Sequence, residues 1–166
     1  MAEFEKNIST FLTIDSIPGE SQFVQKPGSI EIMEWSHSFD QPTSMSRSTG
    51  SGAAGRAKHN FLFYRKLIDS TSVPLLQKCW KGEQIPTMVI SCFNTDMKEY
   101  LTITMTDAIV SHFEVKEAWD SKTGVPEEVH GINYGKIQYD YKPIDSTGAL
   151  LGSLVCEHNL VDGTIA

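Results

Sequence analysis

Apolar and polar side chains alternate along most of this chain at the two-residue period of extended strands. Residues 11–17 (FLTIDSI) run into Pro18-Gly19, which reads as a turn. Residues 29–39 (SIEIMEWSHSF) lie between Pro27-Gly28 and Pro42. On that segment Glu31, Met33, Trp35, His37 and Phe39 form the bulkier face; Ile30, Ile32, Glu34, Ser36 and Ser38 form one that turns small and polar. Residues 58–68 are rich in aromatics. Residues 84–93 are apolar on both faces, as in a covered strand, with Pro86 placing an edge or a strand start there.

The cleanest alternation spans residues 98–115. Leu101, Ile103, Met105, Ile109, Phe113 and Val115 occupy odd positions, and Thr102, Thr104 and Thr106 line the other face. That length is unusual for one strand and predicts a bend near Asp107-Ala108. Over residues 129–142 the apolar phase shifts at Gly135, from Ile132 and Tyr134 to Ile137, Tyr139 and Tyr141, so a bulge at the glycine would keep both sets on one face. A last strand fits residues 150–160. One helix is expected, with Ser72 as N-cap, Pro74 in the first turn, Leu75, Leu76 and Cys79 on one face, and Gly82 as C-terminal cap. The pattern is that of a mainly β protein, a closed barrel or a sandwich, in one domain spanning residues 1–166.

Between the second and third strands lies TSMSRSTGSGAAGR, residues 43–56, of which eleven of fourteen are Ser, Thr, Gly or Ala. Its GSGAAG, residues 50–55, matches the G-x-G-x-x-G loop that cradles a dinucleotide pyrophosphate. Such a loop needs a strand running into the first glycine and a helix starting at the last. Upstream PTSMSRST has no strand pattern and downstream AKHNFLFYRKL has period two, so no nucleotide cofactor is expected. Loops of this length tend to be functional or disordered. From Gln41 to Ile68 there is no acidic residue, while Arg47, Arg56, Lys58, Arg65 and Lys66 are all present. An acidic protein surface fits this basic island best, with Met45 as an apolar anchor.

Composition narrows the classes. The chain has 166 residues, 40% hydrophobic and 21% charged, with a net charge of −7. A soluble domain is expected, repelled overall by nucleic acid and by anionic membranes. Glu3 and Glu5 stand where a secretory signal carries basic residues, so no signal peptide is expected. Cys79, Cys92 and Cys156 form neither a C-x-x-C pair nor a disulfide framework and read as buried, reduced thiols. His37, His59, His112, His130 and His158 are spread over five strand segments without metal-ligand spacing and read as isolated wall or surface residues, so no metal site is expected. Glu127-Glu128 points to opposite faces of an extended chain and reads as a solvated loop edge. No nucleophile signature occurs, and no catalytic residue is assigned.

As a whole the chain resembles the haemolysin-coregulated protein (Hcp) family, the tube subunits of type VI secretion systems. The resemblance is carried by FLTIDSIPGES, SIEIMEWSHSFDQP, the Ser/Gly-rich loop, LIDSTSVPLLQKC, YLTITMTDAIVSHF and INYGKIQYDYKP, in this order. It implies a small closed β-barrel of two packed sheets with one short α-helix and a long extended loop. It further implies hexameric rings that stack into a tube within a contractile sheath and beneath a spike, with a lumen that carries or protects effector proteins. Family members reside in the cytoplasm before firing and outside the cell afterwards. No C-terminal toxin domain is expected on this chain.

On that reading the loop reaches the next ring, through Thr43, Met45, Arg47, Gly50, Gly52, Gly55 and Arg56. Asp120, Glu127 and Glu128 are candidate acceptors for Arg47 and Arg56. Glu34, Ser36 and Ser38, small and polar, are candidates for the lumen wall. The alternatives are a phage-like tail tube protein, which shares the physics, and a barrel enclosing a small apolar ligand.

Overall fold

The structure, a computed structural model, describes residues 9–45, 52–117 and 124–166. The first of two packed antiparallel sheets runs β2 (Ile30–Glu31), β1 (Thr10–Thr13), β9 (Ile85–Phe93), the first half of β10 (Glu99–Lys116), β12 (Lys136–Tyr141) and β13 (Leu154–Asn159). The second runs from the other half of β10 through β11 (Glu127–Asn133) and β8 (Leu62–Leu67) to β3 (Glu34–Ser36). Two short ribbons extend from it. One pairs β4 (Phe39–Asp40) with β7 (Lys58–His59), and the other pairs β5 (Thr43–Met45) with β6 (Gly52–Ala54). A single helix among the described residues, α1 (Ser72–Lys81), packs against β10.

β10 belongs to both sheets. Residues 101–106 pair with β12 and, together with Glu99 and Ala108, with β9, whereas residues 109–116 pair with β11. The handover falls at Asp107, whose φ of 52° breaks the extended backbone. Asp is among the few residues that tolerate this conformation, and the bend expected at Asp107-Ala108 is found there. It also corrects the expected single odd-numbered face. Ile103 and Met105 point inward before the bend, Ala108 and Val110 after it, because the left-handed residue uses up one step of the alternation. A second irregularity between Val110 and His112 turns Phe113 back inward, onto the His130 ring at 4.2 Å, and Val115 is left exposed.

The expected 29–39 strand is likewise divided. Ile32 donates its backbone N–H to Thr10, and Met33 donates to Arg65 on the opposite sheet. The chain therefore crosses between sheets at this dipeptide, and the core face passes from Ile30 and Ile32 to Trp35. β2 and β3, the two ends of the strand order, are pieces of one run, so the covalent chain joins the two sheets on this side without a hydrogen-bonded ladder between them. At Gly135 the phase shift is a step between two strands that pair with different halves of β10, and Tyr134 and Ile137 are both buried on either side of it. Pro86 sits at the start of β9, before the stretch paired with β1.

Side chains fill the interior. Leu12, Ile30, Leu62, Met88, Ile90, Ile103, Met105 and Ile132 are completely buried and pack as one cluster. A satellite cluster of Phe11, Phe23 and Phe93 covers the other side of the first sheet, its rings 4.7 to 5.7 Å apart. Gly19 lies against the chain that enters β2. A Cβ there would stand 2.2 Å from the Ser29 carbonyl oxygen, a backbone atom that cannot swing aside. Gly19→Ala is expected to destabilise the fold by about 1–3 kcal/mol, the usual cost of overpacking, measured by urea unfolding.

The helix is capped at Gly82, in the left-handed conformation with φ 62°, as its position in the sequence predicts. The N-cap is Thr71, one residue earlier than expected, and it makes no side-chain cap. Ser72 is engaged elsewhere: its hydroxyl accepts from the Asp69 N–H at 3.0 Å and from the Lys66 ammonium at 3.2 Å. Lys66 is wholly buried and also reaches Asp69 at 2.8 Å and Glu128 at 3.1 Å. Glu128, 1% exposed, holds His130 Nε2 at 3.1 Å, and His130 Nδ1 meets the Tyr64 hydroxyl at 2.7 Å. Glu128 is therefore a buried member of a network joining β8, β11 and the helix start, and not part of a solvated edge.

Candidate functional site

The Ser/Gly-rich segment leaves the barrel as a two-stranded arm. Phe39 pairs with His59, Asp40 with Lys58, Thr43 with Ala54, Ser44 with Ala53 and Met45 with Gly52. Gly55 donates its N–H to Pro42 at 2.8 Å, and its carbonyl accepts from Gln41. Asn60 spans the base, donating its N–H to the Ser38 carbonyl at 3.1 Å and its amide to Ser38 Oγ and Asp40. Gly52 is in a strand and extended chain follows Gly55, so the helix required by a dinucleotide loop does not begin there. Thr43 is exposed. Arg56 is exposed too, and its guanidinium donates to the Leu160 carbonyl at 2.5 Å, tying the arm to the end of β13. Arg47, Gly50 and Asp120 lie outside the described residues.

Beneath the arm three of the histidines converge, which corrects the expectation that they stand alone. His37 Nδ1 meets the Tyr139 hydroxyl at 2.6 Å, and its Nε2 meets the Tyr134 hydroxyl at 2.7 Å. His59 Nδ1 meets the same Tyr134 hydroxyl at 2.8 Å, and its Nε2 meets His158 Nδ1 at 2.8 Å. The result is an unbroken relay, Tyr139–His37–Tyr134–His59–His158. Phe39 lies over it, its ring 4.2 Å from His37 and 4.8 Å from His59. Burial holds the His37 pKa down to about 4; the Asn60 backbone opposes this and the charge of His59 adds to it. His59 is lowered by burial and then by His158. Burial lifts the Tyr139 phenol to about 12, and Tyr134 is raised by burial and by Tyr139. No sequence spacing signals this cluster, because its members come from four separated segments.

The candidate wall residues lie on the outward side of the second sheet. Glu34 and Ser36 are exposed on β3; Glu34 pairs with Arg65 at 3.2 Å and Ser38 is taken up by Asn60. Of the proposed acceptors for the arm, Glu128 is ruled out by its burial against Lys66. Glu127 remains partly accessible beside Arg65, 3.9 Å away. The cysteines also differ from expectation. Cys92 is buried, Cys79 partly so, and Cys156 is exposed on β13.

β13 itself is an edge. Among the described strands it pairs with β12 alone, and residues 164–166 fold back on its far end, where Glu157 and Ala166 exchange backbone bonds. The nearer half carries Leu154, 63% exposed, and Val155, 51% exposed, with Leu151, Val161 and Ile165 exposed nearby. Among the described residues no helix is long and apolar enough to cross a membrane.

Two packed antiparallel sheets with one short helix and a projecting two-stranded arm place the chain among mainly β proteins of two-sheet architecture. The chain is a member of the family described as type VI secretion system effector, Hcp, whose model matches residues 11–141. No curated protein sequence matches it. Among solved structures it is similar to a type six secretion system protein, with a TM-score of 0.88 at 21% identity over 95% of this chain and 98% of that one. It is similar to Hcp1 from Salmonella typhimurium, with a TM-score of 0.77 at 23% identity over 95% and 97%. A type VI secretion system effector from Yersinia pestis gives 0.71 at 21% identity over 90% and 98%. At such identities these likenesses establish the fold.

Proposed function

We propose that this chain is a structural subunit of the type VI secretion tube. Six copies close a ring, rings stack within a sheath and beneath a spike, and the lumen carries or protects effector proteins; the subunit waits in the cytoplasm and leaves with the fired tube. Membership of the Hcp family carries this reading. The exposed apolar half of the β13 edge, at Leu154 and Val155, supports it physically: such an edge invites aggregation unless another chain covers it. An unlike surface on the next copy covers that edge in a ring, and such a head-to-tail contact closes after a fixed rotation. The arm then bridges to the neighbouring ring, with Arg56 and Arg47 directed toward Glu127, and Glu34, Ser36 and Ser38 face the lumen.

Negative-stain electron microscopy of the purified chain is expected to show six-membered rings. Persistent monomers at micromolar concentration would end the proposal. Stacking is expected to weaken with added salt and with Arg56→Glu, since exposed ion pairs are screened within roughly 8–10 Å at physiological ionic strength. Sedimentation of stacked rings is the measurement, and profiles indifferent to both treatments would remove the arm contact. A photo-crosslinker at Ser36 is expected to capture a co-expressed effector; labelling of sheath alone would place this face outside.

A further inference from the structure

The relay under the arm has a fixed number of hydrogen positions. Each of its four contacts holds one hydrogen between two heavy atoms. Tyr139 and His158, at the two ends, each have one further outward position. Six hydrogen positions therefore exist, and the five neutral groups bring five hydrogens. One added proton fits on any of the three histidines without losing a contact. A second has no place: two hydrogens must then face each other across one contact. Tyr134, in the middle, is buried, and among the described residues its hydroxyl meets His37 and His59.

We propose that this relay is an acid-released latch, which holds the base of the arm on the barrel when at most one histidine is protonated and lets it go when mild acid drives a second proton in. The relay is well placed for this. His37 lies in the link between β3 and β4 and His59 ends β7, where the arm leaves the barrel, while Tyr134, Tyr139 and His158 belong to the step before β12, to β12 and to β13. Apart from it, Arg56 on the Leu160 carbonyl is the other hydrogen bond among the described residues that ties the arm base to this side.

Charged neighbours do not compensate. Asp40 and Lys58 face each other on the arm base, Lys136 is paired with Glu157 at 2.9 Å, and Asp107 lies beside Gly135. Asp162 is held ionised by Thr164. The histidines that meet a carboxylate among the described residues are His112 and His130, away from this cluster. His37 and His59 in the latch bind protons more weakly than free histidines, so the latch is at full strength above the ordinary pKa of about 6.5 and weakens as pH falls toward 4. From His37, half-buried and partly screened, the opening equilibrium is expected to rise on the order of tenfold between pH 7.5 and 5.

The consequence for stacked rings rests on the tube reading; the latch itself does not, and the test separates them. A two-stranded ribbon off its barrel is marginal in water, so release exposes the Asn60 N–H, bonded to Ser38, to exchange. Hydrogen exchange of the full chain is measured at pH 7.5 and 5 and expressed as protection over the intrinsic rate. Asn60 protection is expected to fall on the order of tenfold at pH 5, while amides of β9 and β10 keep theirs. In His37→Gln/His59→Gln, which keeps amide donors and acceptors in place, the pH dependence is expected to be lost; His158→Gln alone is expected to reduce it. Imidazole nitrogen shifts should show the first proton shared and the second taken up together with the loss of Asn60 protection. Unchanged Asn60 protection, an equal fall in the double variant, or a parallel fall across β9 and β10 overturns the latch. Rings that fail to stack at pH 7.5 overturn the tube reading alone, and rings that stack equally at both pH values while Asn60 opens show that the arm base does not govern stacking.

Discussion

Lys66→Met is expected to lower the unfolding free energy by about 3–5 kcal/mol. The ammonium is wholly buried, with Glu128, Asp69, Ser72 and the Leu67 carbonyl around it. Removing it leaves Glu128 as an uncompensated charge at 1% exposure. For a domain of this size that corresponds to roughly 10 °C in melting temperature. Lys66→Met with Glu128→Leu is expected to recover most of the loss, since replacing a buried ion pair by apolar groups is often neutral. A double variant no more stable than Lys66→Met alone would mean that the ammonium acts through Asp69 and the helix start instead.

The same network gives an acid limb. Burial opposes ionisation of Glu128, but the bonds from His130, Ser72 and Lys66 outweigh it and hold its pKa below the ordinary value. Its contribution is therefore present at neutral pH and is lost as pH falls through its folded pKa. His130 is lowered chiefly by burial, so unfolding takes up a proton once pH drops below about 6.5. Both groups act in one direction, and Glu128→Leu is expected to remove the part of the acid slope below about pH 4.5 while leaving the part that His130 contributes below 6.5, measured by urea unfolding at each pH.

On the proposed ring assembly, Leu154→Lys with Val155→Lys is expected to convert rings to monomers. Successive residues of a strand point to opposite sides, so these two cover both faces of the β13 edge. Burying each side chain in a ring contact contributes about 1.5–3 kcal/mol, and six equivalent contacts weaken together. Loss of even 3 kcal/mol per contact raises its dissociation constant by more than about a hundredfold. Because both residues are exposed in the single subunit, its thermal unfolding should be unchanged within about 0.5 kcal/mol. Hexamers that survive in analytical ultracentrifugation would place the contact on another edge. Monomers with lowered stability would show that the substitutions damaged the fold.

The sequence by itself determined the elements: the period-two runs, the helix ending at Gly82, the bend at Asp107 and the break at Gly135 are local preferences, written into a few neighbouring residues. It also carried the family resemblance, since order and spacing of short segments survive where overall identity does not. What it did not contain was which strands lie side by side. The handover of β10 between sheets, the crossing at Ile32-Met33 and the phase reversal after Asp107 depend on pairings far apart in the chain. So do the relay of His37, Tyr134, Tyr139, His59 and His158 and the burial of Lys66 with Glu128. A lysine and a glutamate look alike in solvent and in a core when read one residue at a time; only the folded neighbourhood decides whether their charges are screened by water or must satisfy each other.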